Sequence, residues 1–226
     1  MALTETAYSN LRALIFDGTL GMDERLLETA LADRLQMSRT PVREALQLLL
    51  AEGVIEAGPT GLRTKSYSGR QILEIYHCRA LLESESVKLT AIAGLSARAR
   101  RAMEEALEAS DALLIQGLGN TAEEEKHFKE RFRIYNHAYH NALYEDCPNS
   151  ALRRLTQQVA DLPAPIRNFF SFSLEQIEES HRAHKQIFNA IVSGDSDRAA
   201  AHTREHIWTA RDRMNPAAFM LDAALA

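Results

Sequence analysis

The sequence predicts a mainly α fold in two parts: an N-terminal winged helix-turn-helix, then a C-terminal all-α helical bundle. Three observations predict it. A helix with outward arginines begins in the run Ser38-Arg39-Thr40-Pro41-Val42-Arg43-Glu44-Ala45-Leu46. Two short extended runs follow around a Gly/Pro turn, and from about Arg70 onward one helical stripe succeeds another.

The segment Leu26 to Leu35 carries its own helical stripe and ends in the short connection Gln36-Met37. Ser38 or Thr40 caps the next helix, and Pro41 suits a first turn, where its missing amide proton has no partner to lose. Val42, Ala45, Leu46, Leu49 and Leu50 recur at three- and four-residue spacing and share one face, while Arg39 and Arg43 lie four apart on another. That pairing of helices across a short turn is a helix-turn-helix. Ala51 to Ala57 and Leu62 to Lys65 flank Gly58-Pro59-Thr60-Gly61 and read as a β-hairpin wing. Two apart in a strand, Arg63 and Lys65 would point the same way.

The chemistry of these positions is that of DNA reading. Arg39 or Arg43 can donate two hydrogen bonds to a guanine edge, Thr40 suits a phosphate, and Arg63 and Lys65 suit phosphate or a minor groove. Arg34 fits phosphate contact and plain solvation equally well. A merely solvated arginine face is the alternative, but cap, proline, spacing and wing agree with one another. The 226-residue chain is 46% apolar, enough for two modest cores. Its net charge of −5 excludes a generally basic nucleic-acid coat, so DNA contact must come from a local cluster and be salt-sensitive. The two cysteines, Cys78 and Cys147, are too few for a disulfide framework or a structural zinc module and fit a reduced cytosol. With no apolar run of membrane-spanning length, a cytoplasmic location without membrane partners is expected.

A DNA-binding domain over 1–65 thus gives way, through a polar linker at 66–69, to an all-α domain over 70–226. Its helices are expected near Gln71 to Gly94, Ala97 to Gln116, Ala122 to Tyr144, Ser150 to Val159, Leu174 to Ser193 and Ser196 to Met214. Breaks fall at Gly117 to Asn120, Cys147 to Asn149 and Asp161 to Pro165. Histidines come in close pairs, His137 with His140, His181 with His184 and His202 with His206, each pair on a different helix. Ile177, His181, His184, Phe188 and Ile191 follow one stripe, Asn136 and His140 share a face, and His206 is in register with Ala199 and Ala210. Three helices can therefore aim imidazoles at one cavity, a set that suits zinc or a related divalent metal with a position open to an exogenous carboxylate. The alternative is that each histidine is a hydrogen-bonded core or surface residue. Arg79 divides in the same way, between a bidentate grip on an effector carboxylate and an ion pair with Glu83. Tyr76, Phe132, Tyr135 and Phe188 fit core better than an aromatic cage, and Glu123-Glu124-Glu125 fits a solvated first turn.

Leu11-Arg12, Glu24-Arg25-Leu26, Leu31-Ala32, the Ser38 to Leu46 run, Glu52-Gly53 and Gly61 together closely resemble the N-terminal domain of GntR-superfamily bacterial transcription regulators. The family usually has glycine where Gln36 stands, and a Pro-Gly pair where Met22-Asp23 stands. The resemblance implies that Arg39 and Arg43 read bases in an operator palindrome while the wing approaches the adjacent groove. Ile75 to Glu83, Tyr139 to Leu143, His184 with Ala190-Ile191 and Gly194-Asp195, and Ala199-Ala200 with His206 resemble the FCD effector domain of FadR-type members. From that resemblance the metal ligands would be Asn136, His140, His184 and His206. Asn136 stands where metal-binding members carry an acidic residue, which weakens the site by one charge. His137, His181 and His202 would flank it, with His181 best placed to reach the cavity as an effector contact beside Arg79.

The expectation is a homodimeric, ligand-responsive repressor on a double-stranded DNA operator. It would sense a small carboxylate effector through a divalent metal, zinc first, with nickel or manganese as alternatives. A metal-free pocket for a longer acyl ligand is the nearer rival. A metal-dependent hydrolase is remote, since no nucleophile motif or glycine-rich phosphate loop supports one.

Overall fold

The computed structural model describes residues 2–16, 18–161 and 172–213. The chain divides into two compact units at Ser68 and Gly69.

The first unit contains α1 (Ala2–Phe16), α2 (Glu28–Leu35), α3 (Arg39–Ala51), β1 (Ile55–Gly58) and β2 (Gly61–Thr64). Sequence analysis placed no helix over residues 2–16, yet α1 is an integral part of this unit. Ala7, Leu11 and Ile15, spaced four apart, are all buried in one cluster with Leu46 and Leu49 of α3. Side-chain bonds tie the ends together: Thr4 Oγ1 donates to Glu44 at 2.6 Å, and the Tyr8 hydroxyl donates to Glu52 at 2.7 Å.

The α2 helix starts two residues later than its stripe begins, because Leu26 is drawn into the wing. Its amide donates to the Leu62 carbonyl at 2.8 Å, and Arg25 bridges Arg63 in antiparallel fashion. The hairpin itself pairs Ile55 with Thr64 and Gly58 with Gly61, leaving Pro59-Thr60 as a two-residue turn. Gly61 has φ +118°, a backbone angle that side chains resist, which is why the turn needs glycine there. Ser38 sits at the N-cap position of α3 in extended backbone, but its side chain makes no capping bond, and Thr40 lies inside the first turn. Pro41 occupies that turn, where no intrahelical donor is lost.

The second unit contains α4 (Gly69–Ala93), α5 (Ala97–Gln116), α6 (Ala122–Glu145), α7 (Ser150–Asp161), α8 (Leu174–Val192) and α9 (Ser196–Asp212). These match the expected helices to within two residues at each described end; Met214 lies outside the described residues, as does most of the expected break after Asp161. Local signals set the phase of the helices that matter for function. Thr121 and Glu124 form a reciprocal capping box on α6, Ser173 and Gln176 another on α8, and Asp195 caps α9 by accepting from the Arg198 amide. Glu124 is thus a cap as well as a solvated acid. The core joins Val87 of α4, Met103 and Leu107 of α5, Leu143 of α6 and Ile187 of α8. Tyr76 and Phe132 are buried packing residues, as expected. Among the described residues, no helix is long and apolar enough to cross a membrane.

Candidate nucleic-acid interface and metal centre

The outward face of α3 in the first unit carries the arginines. Val42, Ala45, Leu46 and Leu49 are buried, while Arg39, Thr40 and Arg43 are exposed, as is Arg34 in the last turn of α2. Arg39 is held loosely, its Nη2 3.5 Å from Glu28 Oε2, whereas Arg34 and Arg43 form no ion pair among the described residues. Both helix ends are shaped by the turn between them. Gln36 closes α2 in the left-handed conformation, φ 51° and ψ 43°, with its amide bonded back to the helix. Asp23, ahead of the wing, also has positive φ, at 58°.

The wing departs from its expected geometry in one respect. β2 ends at Thr64, so Lys65 lies beyond the strand, with Nζ 5.4 Å from the centre of the Tyr67 ring. Arg63 is tied down by two carboxylates, Asp23 at 2.8 Å and Glu56 at 3.0 Å. The two cations therefore do not form the parallel strand pair that the spacing suggested. In the hairpin register Lys65 would face Val54, but the Val54 amide donates to the Leu49 carbonyl at 3.0 Å in the turn that closes α3, so the ladder stops at Ile55 and Thr64.

In the second unit, α6, α8 and α9 bring His140, His184 and His206 together. All three are buried, with one ring nitrogen of each within 4.8 Å of the others. His184 Nε2 lies 3.2 Å from His206 Nε2. The His140 ring stands edge-on to that of His184, centroids 5.0 Å apart, and is stacked against that of His206 at 5.4 Å. Tyr139 stacks on His184 at 4.4 Å and donates its hydroxyl to the His184 carbonyl at 2.8 Å, fixing that turn of α8. Burial pushes the His184 pKa well below 6.5, and the charges of His206 and His181 push it the same way. The ring is therefore neutral, the form a metal needs.

A chain of buried polar groups backs His140. Arg79 Nε donates to Glu83 Oε1 at 2.6 Å, the Tyr144 hydroxyl donates to Glu83 Oε2, and His140 Nδ1 lies 3.1 Å from the same hydroxyl oxygen. Burial alone would lower the Arg79 pKa, but the Glu83 carboxylate more than offsets it, so the guanidinium stays charged. Because the tyrosine's one proton goes to the carboxylate, its oxygen accepts from His140 Nδ1–H. His140 Nε2 then carries the lone pair, which is the tautomer a metal ligand requires.

These residues fit a metal ion. Bonds of about 2.1 Å hold neighbouring ligand nitrogens roughly 3.0–3.4 Å apart, and the His184–His206 spacing of 3.2 Å falls in that range.

Residues 74–209 match the FCD domain, and residues 3–61 match the bacterial regulatory proteins of the gntR family. The chain is a GntR-family transcription regulator with an FCD domain. It is 28% identical to the HTH-type transcriptional repressor GlaR of Escherichia coli K12, over 89% of this chain and 91% of that one. To the Glc operon transcriptional activator of the same strain it is 25% identical, over 94% of this chain and 89% of the other. The solved E. coli McbR/YncC structure has the same fold, with a TM-score of 0.76 at 22% identity, covering 99% of each chain.

Within the FCD unit, the sequence-derived ligand set is placed as follows. The histidines His140, His184 and His206 converge, and Asn136, buried one turn before His140, is on the same face of α6. His137 is exposed and His202 half-buried. Arg79 adopts the ion-pair alternative: it is buried, bonded to Glu83, with its guanidinium 4.8 Å from the centre of the Tyr76 ring. His181 is buried but stands outside the three-histidine group, its Nε2 2.8 Å from Asp111 Oδ1 on α5. Sequence reasoning missed Tyr144 and Asp111. Tyr144 lies four residues after His140, an i, i+4 signal that was legible; Asp111 is 70 residues from His181 and had none.

Proposed function

We propose that this GntR/FCD regulator, of the FadR type, is an effector-responsive repressor that holds a divalent metal on His140, His184 and His206. The observation that carries the reading is the buried three-histidine group with two Nε2 atoms 3.2 Å apart. Neutral imidazoles with one oxygen from Asn136 favour zinc, with nickel and manganese as alternatives. When bound, the ion would supply a Lewis acid for a small carboxylate effector. The chain's own residues do the rest: Tyr139 fixes the α8 turn that presents His184, and the Arg79–Glu83–Tyr144 chain orients His140. Arg39 and Arg43 read the operator, Arg34 and Thr40 contact its phosphates, Arg63 and Lys65 meet phosphate or the minor groove, and a homodimer presents two α3 helices about one helical turn apart on a palindrome. Residues 1–65 bind DNA, 66–69 link, and 70–226 bind effector and dimerise. The effector acts by binding one placement of the DNA-binding units better than the other. Such a protein works in the cytoplasm, where its operator is, and no turnover of the effector is part of this reading.

The test is elemental mass spectrometry on protein purified without an affinity-metal column, with a reporter assay for the sign of regulation. Near one zinc, nickel or manganese per chain, lost in His184→Ala while operator binding persists, is the expected result. No metal even after supplying it would overturn the metal-bound reading and leave a metal-free pocket. Expression that rises on effector addition marks a repressor; expression that falls would reverse that assignment.

A further inference from the structure

The cations that the first unit offers to DNA are not equally free. On α3 and α2, Arg43 and Arg34 form no ion pair among the described residues, and Arg39 stands 3.5 Å from Glu28. On the wing, Arg63 is gripped from two sides: its Nη1 lies 2.8 Å from Asp23 Oδ1, and its Nε donates to Glu56 Oε1 at 3.0 Å. Two backbone features fit this pose. Asp23 stands at φ 58°, which glycine adopts without strain; the aspartate keeps the angle and adds the carboxylate that closes on Nη1. Gly58 lies outside the left-handed region, so its own backbone does not call for glycine. A Cβ there would meet Arg63 Nε at 3.1 Å and Cδ and Cζ at 3.3 Å, so the missing side chain leaves room for the guanidinium to lie over β1.

Arg25 bridges Arg63 in antiparallel fashion, so the two cations stand opposite each other on one face of this small sheet. With Asp23 and Glu56 beside them, the positive charges are matched one for one by negative ones. A phosphate approaching that face meets no net attraction, and to bind Arg63 fully it must displace a carboxylate. Side-chain exposures of 36% for Arg63, 60% for Asp23 and 33% for Glu56 make these surface pairs. Each such pair biases an equilibrium by a factor of about 1.5 to 5, so two acting on one guanidinium bias it by about fivefold. On an operator, base contacts from α3 anchor the unit and hold a phosphate against the wing at high effective concentration, which overcomes that bias. On other DNA no such anchor exists.

We infer that Asp23 and Glu56 are specificity-determining residues of the DNA-binding unit: they withhold Arg63 from the phosphates of DNA of arbitrary sequence, so that this cation engages only where α3 is seated on its bases. The inference rests on the reading that Arg63 meets DNA.

A double-mutant cycle on the full chain tests it, read by fluorescence anisotropy on a random-sequence duplex of about 30 base pairs between about 50 and 200 mM salt. One arm is Asp23→Asn with Glu56→Gln, which removes both charges, keeps their shapes and leaves at position 23 a residue that tolerates positive φ. The other arm is Arg63→Ala. None of the three side chains is buried, so every variant keeps its core. The expected result is that Arg63→Ala costs about fivefold more affinity in the Asp23→Asn/Glu56→Gln background than in the wild type. In that background the salt dependence also steepens by about 0.9 for each phosphate that Arg63 meets. Affinity gained by the charge removal when Arg63 is already alanine is direct repulsion of phosphate by the carboxylates, and the cycle subtracts it. An equal, measurable loss in both backgrounds overturns the inference while the reading of Arg63 as a DNA contact stands. If neither background loses affinity, that reading falls and the inference with it.

Discussion

Replacing Tyr144 by Phe removes one oxygen and leaves the ring that fills its place in the core. Two buried hydrogen bonds go with it: the one accepted from His140 Nδ1 at 3.1 Å, and the one donated to Glu83. A neutral bond of this kind contributes about 1 kcal/mol net, and one to a charged acceptor about 1.5–3 kcal/mol. Glu83 keeps Arg79 at 2.6 Å, so its carboxylate is not stripped of every partner. The expected loss is about 2–4 kcal/mol. A domain stable by about 5–15 kcal/mol survives that loss. Urea unfolding of metal-stripped protein reads this magnitude without reference to any ion. The orientation of His140 is read separately, by competing the protein against a chromophoric chelator: loss of a group that orients a metal-ligating histidine costs about 10–100-fold in affinity. A variant that loses under about 0.5 kcal/mol and competes for metal as well as wild type would refute the claim that Glu83 and Tyr144 orient His140.

Arg43→Ala removes an exposed side chain that supports no packing, so thermal stability should stay within about 0.5 kcal/mol. Specific operator affinity should drop about 10–100-fold by fluorescence anisotropy, and normal affinity would remove Arg43 from the base-reading set. Gln36→Gly relieves a left-handed residue at φ 51°. The relief exceeds the added unfolded-state entropy, so the variant should be about 0.5–1 kcal/mol more stable in urea; a loss would mean that the Gln36 side chain has a role that the helix end does not explain. The third concerns pH. His184 has a pKa depressed below the unfolded value of about 6.5. The folded state therefore binds fewer protons, and its advantage is full above about pH 6.5 and lost as pH falls below it. Metal-stripped protein should lose stability between about pH 6.5 and 5, at up to about 1.4 kcal/mol per pH unit for each such proton. A flat profile would show that the buried rings are not held neutral.

The helix ends of the second unit were legible because they are written locally. Ser173 and Gln176, or Thr121 and Glu124, declare a helix start within four residues, and the histidine stripe of α8 fixes which face turns inward. The helix α1 was missed although its signal is local: Ala7, Leu11 and Ile15 recur every four residues, with Tyr8 and Leu14 beside them, and this stripe packs on the apolar face of α3. Lys65 was misplaced because alternation presumes a continuing strand, whereas Val54, which would face it, is held in the turn that closes α3.

By itself the sequence determined the mainly α, two-part organisation, the recognition helix with its arginines outward, and the face of each helix on which a histidine stands. Each of these depends on neighbours three or four residues apart, where periodicity and capping act. Only the tertiary structure decided which polar groups meet. Tyr144 reaches Glu83 across 61 residues and so ties it to His140, and Asp111 reaches His181 across 70. Buried polar atoms take whatever partner the packing of separate helices brings within about 3 Å, and that distance is written in no local stretch of the chain.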